Sequence, residues 1–527
     1  MPATRRQCEM FWGIIGVALG ASTLYGQATA PPPRPTNLRL GRFGSIVAVH
    51  RPGPPAKDAV TGLTATATGE PAAYPHPRPR LAGWSPLIAI ATSDARRPVF
   101  DDTFEHELQS TYVGNPLAGD PTMDYIIGIL DSGSGVNLFA GTFAQQLGLE
   151  GAFLTNNTVD VGGVGETVPA RLTWPVGFFA AGLSGVGSDG ALDLAAVVGH
   201  SSVSGLVIPP IICGGEEAVS GVLGTAFLSF YNTVVHVDQP QTVIHGGRTF
   251  FGPTVEVLDR FAPLPTYPRA IPLEVGSFDL GVNTASYWPN LFDFEDQQTP
   301  FVPTQLSSAP GSIPFGGWFF TSVQLLEGVP SPTNIIQSFR MLVDTGAQTS
   351  IISTTTAAAL SLPVTPDFTI DVCGVGGFVS NIPGYYIDLV KINALGGALD
   401  YSRAPFVVLD LAAPDGTAGV LPGILGMNFF WNRNITLEPL LTGTSFLTVS
   451  EPVAFAGGDF NLDLHVDEND LFDFVACQTG PHSGLLGPDC EHVDIDQDGV
   501  VDLGDFSTFQ RCFSGASAEA DRACTSP

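Results

Sequence analysis

Lysine is almost missing from this chain: 527 residues hold only Lys57 and Lys391, which leaves arginine to carry nearly all the positive charge. With 21 Lys+Arg against 51 Asp+Glu, the net charge is −30. A surface of that sign repels phosphate backbones instead of releasing their counterions, so nucleic-acid binding is excluded as a leading role. Charged side chains of either sign are also scarce, at 14%, against 44% apolar ones. That balance excludes a disordered chain, and the length allows roughly two to four domains. Long hydrophobic runs are lacking too. Past the first thirty residues no segment holds about 18 apolar residues without a charge or a turn former, so no membrane span is expected once that leader is removed.

What the chain has in abundance is glycine (61) and proline (44). Such a composition favours many short strands joined by tight turns over a helical bundle. The first thirty residues carry Arg5 and Arg6, an apolar stretch from Met10 to Leu19 and a small-residue exit at Ala28-Thr29-Ala30. This order is that of an export signal, so secretion is expected, with an uncleaved anchor as the alternative. Cys8 would leave with the signal. Of the six remaining cysteines, Cys477, Cys490, Cys512 and Cys524 crowd into the end of the chain, consistent with an oxidising compartment. They lie in a repeat that favours Cys477 with Cys490 and Cys512 with Cys524. Cys213 and Cys373 either bridge two domains or stay as buried thiols.

Residues 31–99 are rich in Pro and Ala, and up to about residue 90 they are basic, with Arg34, Arg39, Arg42, Arg51, Lys57, Arg78 and Arg80 opposed by Asp58 and Glu70. This segment reads either as a linker or as a removable prosegment that docks on the acidic body. Short β-type runs fill residues 100–248, a Pro-rich aromatic connector spans 249–315, and a second β-type block spans 316–450. From Asp459 onward the character changes, with 15 acidic and 2 basic residues.

The two β blocks are copies of one plan. Asp131-Ser132-Gly133 follows the apolar run Ile126 to Leu130, and Asp344-Thr345-Gly346 follows Met341-Leu342-Val343. Short helical candidates come next, Thr142 to Leu147 and Thr355 to Leu360. Glycine-rich turns follow at Gly162 to Gly165 and at Gly374 to Gly377. Each block then closes on an apolar-apolar-Gly signature, Gly221-Val222-Leu223-Gly224 and Gly423-Ile424-Leu425-Gly426. One Asp-hydroxyl-Gly triplet is ordinary turn composition. Two, each on a strand end and each followed by the same features in the same order, are an internal duplication.

Over residues 100–450 this pattern resembles the aspartic proteases in their bilobal arrangement, with local motifs closer to the retropepsin-like style than to pepsin. The resemblance implies a mainly β, two-lobed, barrel-like fold. Its catalytic dyad would be Asp131 and Asp344, with Ser132, Gly133, Thr345 and Gly346 supporting the catalytic loops. The glycine-rich turns would be hairpins that close over a peptide or protein substrate, although plain hairpin turns explain them as well. Two carboxylates held together cannot both ionise easily, so one serves as base towards a water while the other serves as acid. No cofactor is needed for that chemistry. The rival is an extracellular binding or structural protein that kept this fold without turnover.

The acidic tail carries a second pattern. Asp494, Asp496, Asp498, Asp502 and Asp505 supply oxygens at loop positions 1, 3, 5, 9 and 12, Gly499 sits at position 6, and the Val500 carbonyl adds a ligand. A hard cation such as calcium is wrapped by one turning loop in this way. Thirty-five residues earlier, Asp459, Asn461, Asp463, Asp467 and Asp470 repeat the pattern, with the carbonyl of His465 at position 7 and Leu464 in place of the glycine. Each loop precedes an apolar helix face. Residues 457–527 therefore resemble a dockerin type I module, a small α-helical calcium-binding domain. The resemblance implies calcium-dependent folding and docking to a cohesin-like partner at a cell surface or in an extracellular assembly; a calcium-stapled stability cap is the plainer alternative.

Overall fold

The computed structural model describes residues 47–48, 76–95, 107–276 and 318–524, apart from short breaks at 165–167, 174–175, 204, 214–215, 218–219, 333, 412–419, 440–444, 480–485 and 487–489. The expected export signal and most of the basic segment lie outside the described residues.

The molecule is mainly β. Among the described residues one sheet has ten strands and a second has thirteen, and the strands match in order across the two. In the first, Leu87–Ser93 lies beside Ile126–Leu130, which is followed by Gly221–Leu223, Leu138–Ala140, Leu206–Ile208, Val168–Thr173 and Leu154–Val161. In the second, Trp318–Leu326 lies beside Gln337–Val343, followed by Gly423–Leu425, Ser350–Ile352, Leu399–Val408, Gly377–Ile392 and Phe368–Gly374. Even the parallel pairings recur: Leu223 faces Leu130, and Leu425 faces Val343. The duplication in the sequence is thus a duplication of topology. The short helices Gly141–Gln146 and Thr354–Ala359 stand where they were predicted, the second capped by the Ser353 hydroxyl, which accepts from the Thr356 amide at 3.1 Å. Both sheets contribute to one large apolar core that includes Ile88, Phe139, Phe227, Phe319, Phe406 and Phe429.

Two boundaries read from the sequence are corrected. Leu87–Ser93, assigned above to the basic segment, is a fully buried central strand of the first sheet. Its seven residues pair with Ile126–Leu130 on one side and Val176–Gly182 on the other. The connector also contains sheet. Arg248–Asp259 pairs with Tyr231–His245, and Arg269–Gly276 pairs with Ser445–Val449 and Trp318–Leu326. Its prolines read as strand breakers, but Pro253 faces Pro240 at a register shift, where the missing N–H groups cost the ladder little.

The last seventy residues form two loop-helix units, with helices Glu468–Cys477 and Leu503–Cys512. Disulfides join Cys477 to Cys490 and Cys512 to Cys524. Their small core contains Phe460, Val466, Phe474, Val493, Val501 and Phe509. Among the described residues no helix is long and apolar enough to cross a membrane.

Candidate active site

Each candidate aspartate follows the last residue of a strand buried in the middle of its sheet. The Asp131 amide donates to the Leu223 carbonyl at 3.0 Å, and the Asp344 amide donates to Leu425 at 3.1 Å, so the apolar-apolar-Gly strands run beneath both loops. The turn after each aspartate is closed by its own carboxylate. Asp131 Oδ1 accepts from the Gly133 and Ser134 amides at 2.7 and 3.2 Å; Asp344 Oδ1 accepts from Gly346 and Ala347 at 2.9 and 3.1 Å.

The hydroxyl neighbours bind the two halves together. The Ser132 amide donates to Thr345 Oγ1 and the Thr345 amide to Ser132 Oγ, both at 3.0 Å. Ser132 Oγ in turn donates to the Val343 carbonyl at 2.7 Å, and Thr345 Oγ1 to the Leu130 carbonyl at 2.8 Å. Of these four buried hydrogen bonds, two tie the residues after the aspartates to each other and two tie the residue after each aspartate to the residue before the other. Net contributions of about 1 kcal/mol apiece would suffice to fix the register of the loops.

This register brings the carboxyl groups of Asp131 and Asp344 within hydrogen-bonding reach of each other. Burial raises Asp131, partly offset by its hydrogen bonds to Asp344 and to backbone amides. Burial together with the charge of Asp131 raises Asp344 well above the usual carboxylate range. The pair therefore keeps one proton after the first has left. The approach also explains both glycines. A Cβ on Gly133 would lie 2.3 Å from the Asp344 carboxyl carbon, and one on Gly346 would lie 2.5 Å from that of Asp131. Gly346→Ala should therefore displace Asp131 without unfolding the sheets. Steady-state kinetics should show a loss in kcat of about 100-fold, the usual result of misplacing a reacting group by an ångström.

The two glycine-rich hairpins meet across the halves. The Gly376 amide donates to the Val164 carbonyl at 2.9 Å. Val164 packs on the cluster holding Trp318, Phe320 and Leu342, and Val375 on the one holding Val136, Leu138 and Val222. Each tip thus rests on the opposite half. Cys373, at the base of the second tip, is buried in the latter cluster and disulfide-bonded; the side chain of Cys213 lies outside the described residues.

Residues that support the loops without any local signal come from the lead-in to each central strand. Trp318 Nε1 donates to the Gly133 carbonyl at 3.1 Å. On the other side, the Gly83 amide donates to the Gln348 carbonyl at 2.8 Å, and Gln348 Nε2 donates to Ser85 Oγ at 3.0 Å. Sequence reasoning missed all of them. The apolar run from Leu87 was the one available hint.

The C-terminal loops gather the predicted ligands in part. Oxygen atoms of Asp494, Asp496 and Asp505 lie within 4.8 Å of one another. Asp494 organises its loop by accepting from the Asp498 and Gly499 amides, as Asp459 does from Asp463 and Leu464. Asp505 accepts from Ile495, Asp496 and Asp502, and Asp470 likewise from Phe460, Asn461 and Asp467. Asp467 and Asp502 cap the following helices. Asn461 Nδ2 donates to Asp463 at 3.1 Å, and the Val500 amide donates to Asp498 at 3.0 Å. The His465 ring turns away, with Nδ1 2.7 Å from the Ala518 carbonyl, which leaves only its carbonyl for the loop. At position 6, Gly499 has φ +90° and Leu464 has φ +72°, so the leucine accepts a left-handed conformation that favours glycine. Burial and neighbouring carboxylates push Asp459 and Asp470 up to about 7 and Asp494 to about 6. Crowded acidic oxygens that resist ionisation are a donor set suited to a hard cation.

The aspartyl protease family model matches residues 334–429. The match runs from the strand before Asp344 through the second hairpin to the strand beneath the loop. No curated protein matches the chain.

Proposed function

We propose that the protein is a secreted aspartic endopeptidase in which Asp131 and Asp344 activate a water for attack on a peptide carbonyl. The observation that carries this reading is the carboxyl pair held by reciprocal Ser132 and Thr345 hydrogen bonds, together with the family match around Asp344. The ionised carboxyl takes a proton from water, and the protonated one donates a hydrogen bond to the carbonyl oxygen as charge builds there. The proton then passes to the leaving nitrogen, which restores the pair. The meeting hairpins at Val164 and Gly376 fit a two-sided lid over an extended substrate.

Within the same reading, the C-terminal module is a dockerin-like unit that holds calcium and joins the enzyme to a cohesin-like surface partner. Asp494, Asp496, Asp498, Asp502, Asp505 and the Val500 carbonyl would hold one ion. Asp459, Asn461, Asp463, Asp467, Asp470 and the His465 carbonyl would hold another. Calcium would supply charge neutralisation that lets each loop close.

The test is to incubate the exported chain with a mixed peptide library from acidic to neutral pH, with and without a hydroxyl-containing transition-state mimic, and to read products by mass spectrometry. Internal cleavage suppressed by the mimic is expected; a folded chain that cleaves nothing at any pH contradicts the assignment. The pH profile carries its own expectation. Because burial and mutual repulsion raise the pair, the shared proton persists above the ordinary carboxylate range. Activity should therefore fall at the acid end where both carboxyls are protonated, hold while the pair keeps one proton, and fall about tenfold per pH unit once that proton leaves.

A further inference from the structure

We propose that residues 76–86 form a positioning strap for the aspartate pair, anchored at its outer end by the C-terminal module through Arg80. The inner end touches both catalytic loops. The Leu130 amide, one residue before Asp131, donates to the Pro86 carbonyl at 3.0 Å. Gly83 and Ser85 hold Gln348, four residues after Asp344. The strap cannot shift easily here, because a Cβ on Gly83 would lie 2.1 Å from the Met427 carbonyl oxygen, and Trp84 Nε1 is bonded to the Trp431 carbonyl at 2.8 Å.

The outer end is seated on the acidic module. Arg80 Nη1 donates to the Phe460 carbonyl at 2.9 Å, between the first two ligand positions of the first loop, and the guanidinium stacks 4.3 Å above Trp431. Its Nε is shut off from solvent, and the charges of Asp459, Asp470 and Asp473 offset only part of the cost of burying the guanidinium. Glu491 of the module pairs with Arg78 of the strap at 3.8 Å and with Arg403 of the second sheet at 3.9 Å. The Ser402 amide donates to the Pro77 carbonyl at 3.1 Å, and Leu462 of the first loop belongs to the large core shared by both sheets. The module is therefore docked on the enzyme body instead of hanging from it. Of the basic segment read from the sequence as a linker or a docking prosegment, Arg78 and Arg80 dock on the module.

The activity part of this inference rests on the protease reading; the mechanical part does not. Hydrogen exchange and peptidase kinetics on full-length wild type, Arg80→Ala, Arg80→Lys and Glu491→Gln separate the two. For Arg80→Ala, exchange should quicken roughly tenfold in peptides spanning 83–86, 126–134 and 344–348. kcat should fall roughly tenfold with KM within about twofold, because alignment and not substrate binding is disturbed. Arg80→Lys should recover part of both effects, and Glu491→Gln should move both in the same direction by less. Exchange that quickens only within 457–524, with unchanged kcat, overturns the proposal. If Arg80→Ala does not fold, Glu491→Gln decides by the same measurements. A wild type that cleaves nothing removes the protease reading, and exchange at the catalytic loops still decides the strap.

Discussion

Asp131→Asn and Asp344→Asn are each expected to lower peptide hydrolysis by several orders of magnitude while leaving the molecule folded. The folding half of this expectation follows from the local hydrogen bonds. An asparagine Oδ1 can still accept from the Gly133 and Ser134 amides, or from Gly346 and Ala347, and the Ser132 and Thr345 bonds between the halves are untouched. The catalytic half follows from the shared proton. An amide at either position leaves a lone carboxyl group, so base and acid are no longer present together and water is not activated. Because both carboxyls act as one unit, the double variant should be little worse than either single one. Circular dichroism together with steady-state rates checks both halves, and turnover retained within about tenfold in either variant would remove the assignment.

The second large effect concerns calcium. In the full chain, chelation is expected to melt the two loop-helix units, because the carboxyls of each loop repel one another and the module's own core is small. Both sheets should stay folded, with the strap loosened. The two sites should differ in strength. Leu464 holds a left-handed backbone at an intrinsic cost of about 1–2 kcal/mol, and Gly499 meets the same need freely. Calorimetric titration should resolve a tighter second loop and a weaker first one, and Leu464→Gly should narrow the gap. Asp494→Ala should cost more helicity than Asp459→Ala. A spectrum unchanged by chelation would mean that the Cys477–Cys490 and Cys512–Cys524 disulfides hold the module without metal.

The residues legible in the sequence are those whose chemistry demands a contiguous pattern. An aspartate that must turn sharply at a strand end needs a hydroxyl and a glycine directly after it, and a loop that wraps an ion needs oxygens at alternate positions. Both patterns survive without any knowledge of the fold, and the repetition at Asp344 removed the ambiguity at Asp131. Residues that act across long distances in the chain leave no such trace. Trp318 reaches Gly133, Ser85 reaches Gln348 and Arg80 reaches Phe460 only because the folded register puts them there. Leu87–Ser93 was hidden by its neighbours, since the Pro- and Arg-rich stretch before it set the composition of the whole segment. Arg248–Asp259 and Arg269–Gly276 were hidden by Pro253 and Pro272, residues that read as strand breakers but are paired within these strands.

The central claim, that Asp131 and Asp344 share one proton in a single catalytic pair, is tested most directly by calorimetric binding of a peptide carrying a hydroxyl in place of the scissile carbonyl. One molecule should bind per chain with constant affinity over the pH range in which the pair holds one proton, and affinity should fall about tenfold per pH unit above the last ionisation of the pair. Binding should be lost in both Asp131→Asn and Asp344→Asn. Affinity that ignores pH, or that survives in either variant, would contradict the shared-proton pair.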